Sequence, residues 1–295
     1  MTDAENSPVA PSPPDIAKSV EDGMQAKAET SWSTMFVRSL SGGAFIALGF
    51  MFFVTSQQGV GDGANGPTLV LGGVVFSLGL MLVMITGADL FTGSTMSSMS
   101  LLSGRLRLVP FFAHWGISLV GNLIGSFAVA TLVLLAGTAS SNDGAWGLAA
   151  LEIAVGKVEL GWFEAFVLGI LANFVVCLAV VMANAGQTIT DKILACIGPV
   201  ALFVSTGLEH SVANMFILPM GLLIKHAGGD FWQSEAVAEA GITPGDVEAL
   251  TVGAAAWGNL VPVVLGNIIG GAVLVGAYFW VAQRKPVRDA DDDEA

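Results

Sequence analysis

The sequence predicts an all-α membrane protein of six transmembrane helices, arranged as a 3+3 inverted repeat with the second and fifth helices broken. Three observations predict this. Only 12% of the 295 residues are charged and 54% are hydrophobic, whereas a soluble domain carries roughly 25% charged residues. The apolar residues fall into six blocks, most of them near the roughly 20 residues that a span requires. Short sequences of the first three blocks recur, in order, in the last three.

The chain divides into a cytoplasmic N-terminal segment (1–30), a six-helix transmembrane domain (31–283) and an acidic cytoplasmic tail (284–295). Of the 24 acidic residues, six precede Ser31 and five follow Arg288, so the net charge of -13 belongs largely to tails and loops. A chain with this balance lacks the basic face that nucleic-acid binding requires. Residues 1–14 are acidic and proline-rich and read as disordered. They lack the basic and apolar regions of a secretory signal, so the first apolar block is expected to remain as a membrane helix. From Asp15 to about Thr30, Ile16, Val20 and Met24 recur every fourth residue, the single apolar stripe of a short amphipathic helix. That helix lies on the membrane surface, packs under the membrane domain, or is a fraying tail. Cys177 and Cys196 stand in apolar surroundings and read as small core residues.

The apolar blocks lie near 34–56, 68–87, 109–137, 161–184, 193–224 and 253–282. The second runs into Gly87-Ala-Asp-Leu-Phe-Thr-Gly93, and the fifth contains Ser205-Thr-Gly-Leu-Glu-His-Ser-Val-Ala-Asn214. A charge at the bilayer centre costs about 2.5 to 3.5 kcal/mol on insertion scales. Asp89, Glu209 and His210 therefore mark a cavity, an ion pair or a broken backbone. If the N-terminus is cytoplasmic, the inner segments hold nine of the eleven Lys and Arg residues, and only Lys157 and Lys225 lie outside. This bias places both termini in the cytoplasm.

The repeat is legible in short matches. Thr86-Gly-Ala-Asp89 matches Thr206-Gly-Leu-Glu209, and Leu48-Gly49 matches Leu168-Gly169, both at an offset of 120. Gly121-Asn-Leu-Ile-Gly125 resembles Gly266-Asn-Ile-Ile-Gly270. Three spans per half make the two halves enter from opposite sides. Broken helices at equivalent positions of such a repeat point to a transport site near the midplane. The glycine pairs are small-xxx-small faces for close helix contact.

The motifs Gly87-Ala-Asp-Leu-Phe-Thr-Gly93, Gly169-Ile-Leu-Ala-Asn-Phe-Val-Val-Cys177, Gly207-Leu-Glu-His-Ser-Val-Ala-Asn-Met-Phe216 and Gly266-Asn-Ile-Ile-Gly-Gly271 resemble the formate/nitrite transporter family. The resemblance runs from about residue 30 to 283. It implies an aquaporin-like fold, a homopentamer in a bacterial inner membrane, and one pore per subunit. It leans toward the formate branch, although Gly93 after Thr92 also occurs in nitrite-type members. The cargo it implies is formate, with nitrite or hydrosulfide as the alternatives, carried passively or with protons.

Among the site residues, Asp89 and Glu209 are expected to accept hydrogen bonds from backbone N–H groups at the helix breaks. His210 is the one mid-membrane group whose charge is readily tuned, and the resemblance places it beside the pore. Its proton attracts the anion or is lent to it. Thr92, on the opposing break, can donate its hydroxyl to an oxyanion or bond its own backbone. The resemblance carries Phe76, Leu80, Leu90, Phe91 and Phe203 to apolar constrictions above and below the histidine, where resistance to wetting excludes hydrated ions. It puts Asn173 and Asn259 on the substrate pathway. Lys157 joins them as a collector of anions at the outer vestibule, or is a snorkelling interface residue. His114 and His226 read as interfacial. No spacing for a metal site, phosphate loop or ATPase motif is visible, so no cofactor is expected. A water or glycerol channel would carry Asn-Pro-Ala at both breaks, which is absent. An intramembrane hydrolase would need a base-activated serine. Ser94, Ser211 and His210 supply those atoms with no further support.

Overall fold

The computed structural model describes residues 10–60 and 66–293, with side chains through Asp289. Most of the stretch read as disordered, 1–14, lies outside these residues. The amphipathic segment forms α1 (Pro13–Ala28). Ser12 caps it by accepting the Asp15 N–H, and the prolines sit in the first turn, where an N–H has no helical partner. The buried face differs from the predicted stripe. Ala17, Val20, Glu21, Met24 and Ala28 are buried, while Ile16 is only half-buried. Glu21 joins the buried face because two arginines from elsewhere reach it. Arg284 Nε lies 2.6 Å from one carboxylate oxygen and Arg105 Nη1 3.5 Å from the other.

Among the described residues, five helices are long and apolar enough to cross a membrane. They are α2 (Trp32–Gln57), α3 (Gly66–Thr86), α6 (Leu108–Leu135), α8 (Trp162–Ala185) and the terminal helix (Ala254–Asp289). After α3 the chain forms α4 (Phe91–Ser94), a 3-10 turn and α5 (Ser98–Leu102) before α6. The fifth apolar block is divided into α9 (Ile189–Ser205) and α10 (Ser211–Ala227), each of 17 residues. At 1.5 Å per residue neither half alone crosses about 30 Å of hydrocarbon. Gly87 and Gly207 open the two breaks with φ of +74° and +69°, a conformation that a Cβ makes costly. The terminal helix alternates α-helical and wider π-helical turns. Its polar end continues helically to Asp293, where the sequence suggested a plain tail.

Two helices are absent from the sequence reading. The segment taken as an outer loop forms α7 (Ala145–Glu159), which buries Trp146, Ala149, Ala150, Leu151 and Ala154. The acidic loop before the terminal helix contains α11 (Glu235–Ala240). Neither is long enough to register as a span.

The glycine pairs serve packing. A Cβ at Gly121 or Gly125 of α6 would strike Ser39 or the Leu40 carbonyl of α2. A Cβ at Gly266 or Gly270 would strike the Phe166 or Ile170 carbonyl of α8. Helix backbones in contact give the dispersion gain that replaces a hydrophobic driving force in lipid. At the centre lies α10, with every residue from Ser211 to Leu218 buried. Cys177 and Cys196 are free and buried, as core residues.

Candidate functional site

The two breaks bring Thr92 and His210 together, 118 residues apart in sequence. Thr92 Oγ1 lies 3.1 Å from His210 Nε2. His210 is also the N-cap of α10, where its Nδ1 accepts the Ala213 N–H at 3.1 Å. That bond fixes the tautomer. Nδ1 is an acceptor, so the ring proton sits on Nε2 and is donated to Thr92 Oγ1. The Thr92 hydroxyl therefore keeps its own hydrogen uncommitted. Its backbone carbonyl is held by Thr95 Oγ1 (2.6 Å), Asn173 Nδ2 (3.1 Å) and Cys177 Sγ (3.5 Å). Thr95, rather than Thr92, is the threonine that bonds the local backbone.

Two cavities lie close to this pair: His210 lines the first, while Thr92, fully buried, lines neither and its neighbours Leu90, Gly93 and Ser94 line the second. One, of about 300 Å³, is lined by His210, Lys157, Glu209, Asn214, Phe76 and Phe203 among others. Phe76 and Phe203 meet edge to face at 5.5 Å, and Phe203 stacks on His210 at 5.8 Å. The other, of about 170 Å³, is lined by Leu80, Leu90, Gly93 and Ser94 together with Met24 and Lys27 of α1. The five predicted constriction residues thus separate. Phe76 and Phe203 belong to the first cavity, Leu80 and Leu90 to the second, and Phe91 lines neither but packs in the apolar core.

The carboxylates differ from expectation. Glu209 takes side-chain rather than backbone partners: Lys157 Nζ at 2.6 Å, Asn214 Nδ2 at 2.6 Å and Asn259 Nδ2 at 3.0 Å. Asp89 pairs with Lys27 Nζ at 2.9 Å, and the same amine donates to the Ala88 carbonyl. A carboxylate buried this deeply needs a cation; Glu209 adds two amide donors to its lysine, whereas Asp89 has the Lys27 ion pair and no hydrogen-bond donor among the described residues. Lys157 is accordingly an ion-pair partner bordering the cavity, not an open collector of anions. Asn259 donates to Glu209 and to the Lys157 carbonyl. Asn173 spends its N–H groups on Thr92 O, Thr95 Oγ1 and Asn267 O. Asn173 braces Thr92, Asn259 braces Glu209 and Lys157, and neither asparagine lines either cavity.

His226 is exposed. His114 is not interfacial: it is fully buried, with Nε2 3.0 Å from Ser94 Oγ. Its partner sits on a broken segment that folds back against α6, so sequence position gave no sign of burial.

A family model described as formate/nitrite transporter matches residues 14–281. This chain belongs to that family. The formate channel FocA of Haemophilus influenzae is 38% identical over 273 residues, 92% of this chain and 94% of the relative. FocA of Escherichia coli is 39% identical over 270 residues, covering 91% and 93%. The fold is similar to a solved structure described as a pentameric formate channel with formate bound. Its TM-score is 0.77 at 36% identity, covering 85% of this chain and 97% of that one. A second structure, described as an FNT family ion channel, gives 0.76 at 27% identity, covering 91% and 98%.

In this member of the formate/nitrite transporter family, both breaks are braced in the same way. Asn122 Oδ1 accepts the Phe91 N–H at 2.8 Å, and its Nδ2 donates to the carbonyls of Ser39 and Asp89. Asn267 Oδ1 accepts the Ser211 N–H at 2.9 Å, and its Nδ2 donates to the carbonyls of Gly169 and Glu209. These bonds equate Gly169 with Ser39, not with Gly49 as the 120-residue offset suggested. The sequence did show both asparagines, inside the repeated Gly-Asn-x-x-Gly, but the glycines drew the reading to packing. Lys27 was visible only as a charge of the amphipathic helix.

Proposed function

We propose that this chain is a membrane channel for small monovalent anions with formate as its cargo, working passively or with proton coupling. The observation that carries the reading is the buried Thr92–His210 pair, with His210 lining one cavity and Leu90, Gly93 and Ser94 of the Thr92 segment lining another, in a chain whose relatives are described as formate channels. A hydroxyl that receives the histidine N–H presents its own hydrogen to a carboxylate oxygen. Phe76 and Phe203 on one side, and Leu80 and Leu90 on the other, strip water from the anion. Asp89 and Glu209 are compensated by Lys27 and Lys157, so neither repels an anion. Lending a proton requires imidazolium at His210. The added Nδ1–H would point at the Ala213 N–H, so that mode requires the first turn of α10 to loosen.

The full architecture in this reading is six membrane crossings, with α9 and α10 sharing one, as a 3+3 inverted repeat. The equivalent bonds of Asn122 and Asn267 support it. The charge bias puts both termini, and α1 below the second cavity, on the cytoplasmic side of a bacterial inner membrane. The pentameric structure among the similar folds supports a homopentamer with one pore per subunit.

The test is uptake by proteoliposomes of pure protein, offered formate, nitrite, hydrosulfide and glycerol separately across pH. Formate is expected to enter fastest. The variant H210N keeps an N-cap acceptor for Ala213 but is too short to reach Thr92. It should remain folded, lose about tenfold or more of formate flux and flatten its pH dependence. Unchanged flux and pH profile in H210N would remove His210 from the mechanism. Faster nitrite or hydrosulfide uptake would reassign the cargo.

A further inference from the structure

The geometry points to a second hydroxyl–histidine pair on the anion pathway: Ser94 as a donor to the anion on the α1 side of Thr92, with His114 as its positioning residue. The inference rests on the transport reading above and deepens it. Ser94 lies two residues beyond Thr92 on the same broken segment and lines the cavity that also contains Leu90 and Lys27. It is a hydroxyl-bearing residue of that lining, and its Oγ now faces His114 and Ser118 of α6.

His114 has little other reason to be where it is. It sits on the membrane helix α6, fully buried. Its hydrogen-bond contact is with Ser94 Oγ at 3.0 Å, and among the described residues its Nδ1 has no partner. A polar ring buried in a membrane helix is expensive, and packing alone would be served by an apolar ring. The same contact fixes the tautomer. A proton on Nδ1 would be a buried donor without an acceptor, so the proton sits on Nε2 and is donated to Ser94 Oγ. The Ser94 hydroxyl then gives its own hydrogen to the Leu90 carbonyl at 3.0 Å. That carbonyl also accepts the Ser94 backbone N–H at 2.8 Å. The hydroxyl can therefore turn to an anion without leaving the carbonyl unpaired. Ser118 Oγ, 3.2 Å away, steadies the same oxygen. The arrangement repeats that of Thr92 and His210: a histidine N–H satisfies the hydroxyl oxygen and frees its hydrogen for the cargo.

The test compares wild type, S94A, H114F, the double variant and H114Q for formate uptake by proteoliposomes, reading half-saturation and maximum rate separately. One hydrogen bond to a charged species is worth about tenfold. S94A is expected to raise half-saturation about tenfold, H114F to do the same, and the double variant to add nothing. Glutamine can place an N–H near the position of Nε2, so H114Q should regain most of what H114F loses. If H114F fails to assemble, S94T against S94A decides the matter, because threonine restores the hydroxyl. Unchanged half-saturation in S94A overturns the inference and leaves the transport reading intact, as does a double variant whose losses multiply. Absence of anion uptake by wild type overturns both.

Discussion

Replacing Lys157 with methionine separates the charge of this residue from its bulk. The Glu209 side chain is only 3% exposed, and among the described residues its one cation is Lys157 at 2.6 Å. In K157M the carboxylate retains the amides of Asn214 and Asn259, but the charge beside the cavity changes from zero to minus one. Breaking a buried pair from one side costs about 3 to 5 kcal/mol. An anion approaching to roughly 4–8 Å meets a repulsion of about 2 to 4 kcal/mol at an effective dielectric constant of 20. That corresponds to a flux lower by about thirtyfold or more. Neutralising both partners in K157M/E209Q removes the repulsion, so the double variant should recover to within several-fold of wild type. E209Q alone leaves a lone cation and should hold formate more tightly while passing it more slowly. The assay is formate uptake by proteoliposomes, with assembly checked by size-exclusion chromatography. Wild-type flux in K157M, or a double variant as slow as K157M, would falsify the reasoning, because either result means that the cargo does not sense this charge.

Other expectations follow from the braces and from α1. N122L and N267L each leave one N–H and the carbonyl at the break (Asp89 or Glu209) unpaired in the interior, while Ser39 and Gly169 keep their helical bonds. At about 1–3 kcal/mol per group, the loss is comparable to the roughly 5–15 kcal/mol that holds a typical protein folded. Both variants should fail to accumulate as assembled protein, to similar degrees, whereas full yield of either would show that its break is held by other bonds. On the surface of α1, burial works to raise the Asp22 carboxyl, but hydrogen bonds from Arg105 and Lys18 hold it below its ordinary 3.8. A group lowered in this way contributes stability above its unfolded value and loses it only as pH falls through the lowered one. The Asp22–Arg105 pair at 2.7 Å therefore stays intact from pH 5 to 8. D22N should show a pH profile of uptake with the same shape as wild type over that range. A step that vanishes in D22N would assign the pH dependence to this pair.

The sequence by itself determined the environment and the positions of the breaks. Blocks of apolar residues and scarce charges can be satisfied only by lipid, and Gly87, Asp89, Gly207 and His210 interrupt those blocks where a continuous helix could not be kept. The same patterns located the glycine faces at 121, 125, 266 and 270. Tertiary structure alone decided who partners whom. Glu21 reads as a solvated charge until Arg105 and Arg284 arrive from distant segments. Lys157 reads as an interfacial cation until α7 folds inward to Glu209. His114 reads as a helix-end residue until the first break folds back and brings Ser94 to it. Hydropathy is a property of a window along the chain and reports on solvent. An ion pair or a hydroxyl–histidine contact depends on two windows meeting, and in this chain Thr92 and His210 meet from 118 positions apart.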